Sequence, residues 1–187
     1  MSKIAVTIDR TVNTYAYLAH GASIALTEAE KEGGGSFFHN MNAILLSAFT
    51  LEAYYNHLGE NCFNLWASTD RISNYKKLEI ILEHFGLEPD LESTPFSEIR
   101  ELFEFRNEIA HGRTEVLGPV QMVHEDEGRG LNEYAPKSHW EEYCSLDSAK
   151  ASRDNVENIA NLLAEAVGHF PQPFKDFGSG NAVSGPA

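Results

Sequence analysis

Between residues 37 and 62 the apolar side chains Met41, Ile44, Ala48, Leu51, Tyr55 and Leu58 recur at steps of three and four, close to a heptad seam. That period lines one face of an α-helix, so the stretch predicts a long amphipathic helix ending near Cys62. Such a helix is marginal alone in water, and its stripe must be covered by other elements. The same rhythm elsewhere supplies the cover. Residues 11–32 predict a helix through Tyr15, Leu18, Ala22, Ala25 and Ala29, stopped by Gly33-Gly34-Gly35-Ser36. Residues 72–85 predict another through Leu78, Ile81, Leu82 and Phe85, ended by Gly86 with Pro89 beyond.

A fourth helix starts near Ser93 or Thr94, either of which can cap it, with Pro95 in the first turn. Phe96, Ile99, Leu102, Phe103, Arg106, Ile109 and Ala110 continue the spacing, and Gly112 is suited to follow its end. The rhythm breaks over 113–142. There, residues 114–123 fit a short hairpin around Gly118-Pro119, and 125–129 fit an exposed acidic loop. A last helix spans 147–170 through Val156, Ile159, Leu162, Leu163, Ala166 and Val167, ended by Pro171 and Pro173. Residues 178–187 have linker composition. The expected fold is all-α: an antiparallel four- to five-helix bundle with an irregular or short β-hairpin insertion before the last helix. One domain covers 1–170 and a flexible tail 171–187. Ile44, Ala48, Leu51, Tyr55, Ile81, Phe103, Ile159 and Leu163 are the expected core.

Charge and motif content narrow the function. The formal charge of −14 over 187 residues argues against a broad electrostatic grip on nucleic acid, though not against a small basic site. The longest apolar stretch, 43–55, is interrupted by Ser47, Thr50 and Glu52 and is too short to span a bilayer. The first residues lack the apolar run of a signal peptide, so a cytoplasmic protein with Cys62 and Cys144 reduced is expected. No phosphate-binding loop, dinucleotide fingerprint, nucleophile elbow or Cys-x-x-Cys occurs, and no cofactor or metal is expected.

The segment with chemical content is Arg106-Asn107-Glu108-Ile109-Ala110-His111, at the end of the fourth helix and followed by Gly112. Upstream, Ala48-Phe49-Thr50-Leu51-Glu52-Ala53-Tyr54-Tyr55-Asn56 lies on the long helix. Together these resemble the HEPN superfamily (higher eukaryotes and prokaryotes nucleotide-binding domains). Its members are helical bundles, often two-fold dimers, and many are metal-independent RNA endonucleases of toxin–antitoxin and defence systems. The resemblance covers about residues 10–170 and is specific over 106–111. It implies Arg106 and His111 as a catalytic pair, Asn107 as the accompanying polar residue, and Glu52 as a looser match to an acid on an earlier helix. It also implies a homodimer, an RNA substrate and an antitoxin or other protein partner. Members silenced by nucleotidylation carry a tyrosine two residues after the histidine, whereas here that position is Arg113.

The residues suit that chemistry. Histidine titrates near neutrality and can move protons, while arginine offers a permanently charged fork for phosphate oxygens. At about 100° per residue Asn107 and His111 lie one turn apart, whereas Arg106 lies about 140° from His111. One helix therefore does not aim both at one atom; a two-fold dimer can. Arg113 would add a binding charge.

Two other readings stand beside this one. The neighbours of Arg106 at three and four residues are Leu102, Phe103, Ile109 and Ala110, all apolar, so a structural role needs an acid from another helix, such as Glu52. The chain would then be a non-catalytic dimerisation or nucleotide- or partner-binding module. Glu108 and His111 also have the Glu-x-x-His spacing of di-iron bundles, but no second such pair occurs.

Overall fold

The computed structural model describes residues 4–31, 36–119, 135–168 and 172–186. Six helices appear among them. They are α1 (Thr14–Ala29), α2 (Ser36–Cys62), α3 (Asn74–His84), α4 (Phe96–Ala110), α5 (His139–Tyr143) and α6 (Leu146–Val167). Strands β1 (Ile4–Arg10) and β2 (Gly180–Pro186) form one small antiparallel sheet. Short 3-10 turns occupy Trp66–Thr69 and Pro173–Lys175.

The long α2 is the centre of the bundle. It packs against α1, α6, α3 and α4, and α6 closes the other side by touching α1 and α4 as well. All eight expected core residues are buried, from Ile44 on α2 to Leu163 on α6. Small residues let α1 lie close to α2: Ala16, Ala19 and Ala22 are fully or almost fully enclosed, as are Ala43 and Ala48 opposite. Among the described residues no helix is long and apolar enough to cross a membrane.

Helix ends follow local chemistry. Ser73 and Ser145 cap α3 and α6 by accepting from Lys76 N–H at 3.2 Å and Ser148 N–H at 3.0 Å. Gly168, at φ +77°, ends α6 in the left-handed region, earlier than the expected boundary at 170; residues 169–170 lie outside the described set. Pro95 stands at the N-cap of α4, after a cis Thr94–Pro95 bond, instead of inside the first turn. Helix α5 was not expected from periodicity, being too short to show it. A reciprocal pair holds its start: Ser138 Oγ accepts from Glu141 N–H, and the Glu141 carboxylate accepts from Ser138 N–H.

The β structure lies elsewhere than expected. Residues 112–119 are irregular, and the remainder of the expected hairpin, 120–123, lies outside the described residues, as does the acidic stretch 125–129. The sheet instead pairs β1 with β2 from Ile4↔Pro186 to Arg10↔Gly180. The stretch that reads as linker by composition thus carries a strand. Its Gly and Ser content gives no strand signal; the signal sits in the partner, where Ile4, Val6 and Ile8 alternate. Asn13 ties this end to the bundle through its side-chain N–H to the Asp176 carbonyl at 3.0 Å.

Candidate functional site

Helix α4 carries the segment 106–111, and the way α4 lies on α2 decides what each residue faces. Phe103 and Leu102 are buried in the interface, so Arg106, one turn on from both, leaves the core beside α2. Its Nη2 donates to Glu52 Oε2 at 2.9 Å, and its Nη1 donates to Asn107 Oδ1 at 3.0 Å. The guanidinium carbon lies 5.5 Å from the centre of the Phe49 ring, one turn before Glu52 on α2. Both partners of the ion pair remain about a quarter exposed, 23% and 25%. Arg106 Nε is buried and makes no hydrogen bond among the described residues.

The acid that Arg106 lacks within its own helix is thus Glu52 on α2. The structure brings together three of the sequence-derived residues: Arg106, Asn107 and Glu52. They line a groove of about 360 Å³ between α4, α2 and the start of α3. His111 is not among the residues lining it. It is the exposed C-cap of α4, its backbone N–H donating to the Asn107 carbonyl at 2.9 Å. Arg113 is exposed in the irregular stretch beyond. Asn107 therefore links two tasks: its side chain holds Arg106 and its backbone carbonyl closes the helix at His111.

The same groove is lined by residues that sequence reasoning did not single out. Lys77 is 3% exposed, and Arg100 stands at the surface with its guanidinium 5.0 Å from the centre of the Tyr75 ring. Lys77 precedes the core residue Ile81 by four positions, a spacing that places both on one face of α3 and was the available signal. On another side of α4, Glu108 and Glu101 meet His139 of α5 at 3.6 and 3.9 Å. Among the described residues no group of three or more His, Cys, Asp or Glu side chains is arranged to hold a metal.

The cysteines are free, and Cys144 is buried. Burial, with Glu141 nearby, pushes its thiol up to about 11, away from reactive thiolate behaviour. Compared with known proteins, the chain matches no family model, no curated protein and no solved structure.

Proposed function

We propose that this chain is a HEPN-like, metal-independent RNA endonuclease of toxin or defence type, acting in the cytoplasm as a two-fold dimer. The observation that carries the reading is the arrangement at the end of α4. Arg106 is pre-oriented by Glu52 and Asn107, and His111 stands exposed one turn after Asn107. Held in place before substrate arrives, a guanidinium can meet charge growing on a phosphate without reorganising. An exposed imidazole at a helix end can take the 2′-hydroxyl proton or return one to the leaving 5′-oxygen. Because His111 does not line the Arg106 groove, the reading brings the two roles together across a dimer axis. The products would be a cyclic phosphate and a 5′-hydroxyl.

The ion pair also favours a second reading, a non-catalytic helical module that dimerises or binds a partner. Glu52 neutralises Arg106, and the chain as a whole carries −14. One assay separates the two. Purified protein is incubated with single-stranded RNA in a chelator, beside Arg106→Ala and His111→Ala. The nuclease reading expects cleavage by wild type and at least about a hundredfold loss in each variant, the size of a general acid–base or charge-stabilising contribution. Cleavage that survives His111→Ala belongs to another site or a contaminant. An inactive, folded wild type leaves the binding module. With two copies of Arg106 and Arg113 at one cleft, RNA affinity should fall with salt at a log–log slope of magnitude roughly 3.

A further inference from the structure

The groove beside Arg106 contains a buried cation that, among the described residues, makes no ion pair. Lys77 lines its floor at 3% exposure. The ammonium donates to Asn56 Oδ1 at 2.9 Å, and that oxygen also accepts from Trp66 Nε1 at 3.2 Å. The Trp66 ring lies against Lys77, its centre 5.9 Å from Nζ. Among the described residues no carboxylate pairs with Lys77. An ammonium has three donors, and one shared amide oxygen answers only one of them. A charge removed from water is costly unless an opposite charge meets it.

The three carboxylates lining the groove do not fill this role. Glu52 is engaged by Arg106, while Asp70 and Glu104 are exposed. Two further cationic groups frame the space. Arg100 stands at the rim beside Tyr75 and Glu104, its link to Glu92 a loose 3.8 Å between exposed side chains, and among the described residues the buried Nε of Arg106 has no acceptor. The volume of about 360 Å³ is that of a small-molecule site.

We propose that this groove is a phosphate-binding subsite for a ribonucleotide, with Lys77 as the counter-charge at the floor and Arg100 closing from the rim. Phosphate oxygens are strong acceptors that match both an ammonium and a planar guanidinium. The phosphate site stands on its own geometry. That the phosphate belongs to an RNA chain, adjoining the bond cleaved at the end of α4, rests on the ribonuclease reading.

The test is titration calorimetry on the full chain with three probes. These are adenosine 5′-monophosphate, adenosine, and a 2′-O-methyl oligoribonucleotide, which lacks the attacking hydroxyl and cannot be cleaved. The expected result is binding of a phosphate-bearing probe and not of adenosine. Arg100→Gln should weaken it roughly tenfold, as for loss of one charge-assisted hydrogen bond. Lys77→Met, which keeps the packing of the stem, should weaken it at least as much, and Lys31→Gln, at an exposed cation that does not line the groove, should bind like wild type. Absence of binding by both phosphate probes, equal binding by adenosine, or unchanged affinity in Arg100→Gln overturns the proposal. That last arm decides the matter even if Lys77→Met fails to fold. Tighter binding of the oligonucleotide than of the mononucleotide assigns the site to RNA, and the reverse assigns it to a free nucleotide. Binding that depends on Arg100 in a wild type that cleaves no RNA leaves the subsite standing and removes the ribonuclease reading.

Discussion

Arg106 shows how one side chain serves structure and candidate chemistry through the same contacts. Its stem packs near the core while its charge is met at 2.9 Å by Glu52, in surroundings about a quarter exposed. Fully exposed pairs contribute little, and removing one partner of a buried pair costs several kcal/mol. This pair lies between those limits. A double-mutant cycle with Glu52→Gln and Arg106→Gln, read by urea unfolding, should return a coupling of roughly 1 kcal/mol. The same cycle on the exposed Lys31–Glu28 pair should return near zero. Equal couplings would mean that Glu52 does not hold Arg106 in solution. At this scale the sequence was partly legible. The apolar neighbours of Arg106 said that its partner must come from another helix, and Glu52 was the nearest candidate in kind. For Lys77 the spacing to Ile81 put it on the covered face of α3, but that it lines a groove was not legible, because its neighbours there come from other helices.

Among the elements, α2 has a clear apolar period that nevertheless hides one detail of its packing. Gly59 sits within this helix, where alanine is ordinarily favoured by about 0.5–1 kcal/mol. Here the position is closed: a Cβ on Gly59 would come within 2.0 Å of the indole of Trp66, which the turn Trp66–Thr69 folds back against the helix. Gly59→Ala should therefore destabilise the protein by roughly 1–3 kcal/mol, the usual cost of overpacking. In a Trp66→Ala background the same change should become neutral or stabilising. A wild-type background that tolerates Gly59→Ala would show that Trp66 does not seat there. Helix existence and the covered stripe follow from spacing over several turns. α6 stops at the left-handed Gly168, and α5 starts at the Ser138–Glu141 exchange, so neither boundary shows in a periodic pattern.

For the molecule as a whole, the packing of α1, α2 and α6 encloses phenol and thiol groups whose ionised forms it excludes. Burial raises Tyr54, Tyr55 and Cys144 above their ordinary values of 10.0, 10.0 and 9.0. The folded state keeps these protons when the unfolded chain would release them. Their contribution to stability is thus complete below about pH 9 and is lost progressively as pH rises beyond it. Urea midpoints should hold steady with respect to these groups at about pH 8 and fall clearly by about pH 10.5. In an absorbance titration, the signal from Tyr54 and Tyr55 should appear only with unfolding. Early, reversible ionisation of all seven tyrosines would contradict their burial.

Spacing alone determined that the chain makes amphipathic helices, which faces they cover, and that α4 ends at a polar Arg-Asn…His segment. These are short-range properties: a period of 3.6 and a glycine or serine at a boundary act through neighbours a few residues away. Only the tertiary structure decided what those faces meet. It paired Arg106 with Glu52 across 54 positions, left His111 outside the groove, and enclosed Lys77 in the groove that Arg100 also lines. It also joined residues 4–10 to 180–186, where half of the ladder is Gly- and Ser-rich and reads as linker. Backbone hydrogen bonds between distant segments and charges met by another helix leave no local trace, because the partner that makes them favourable is remote in sequence.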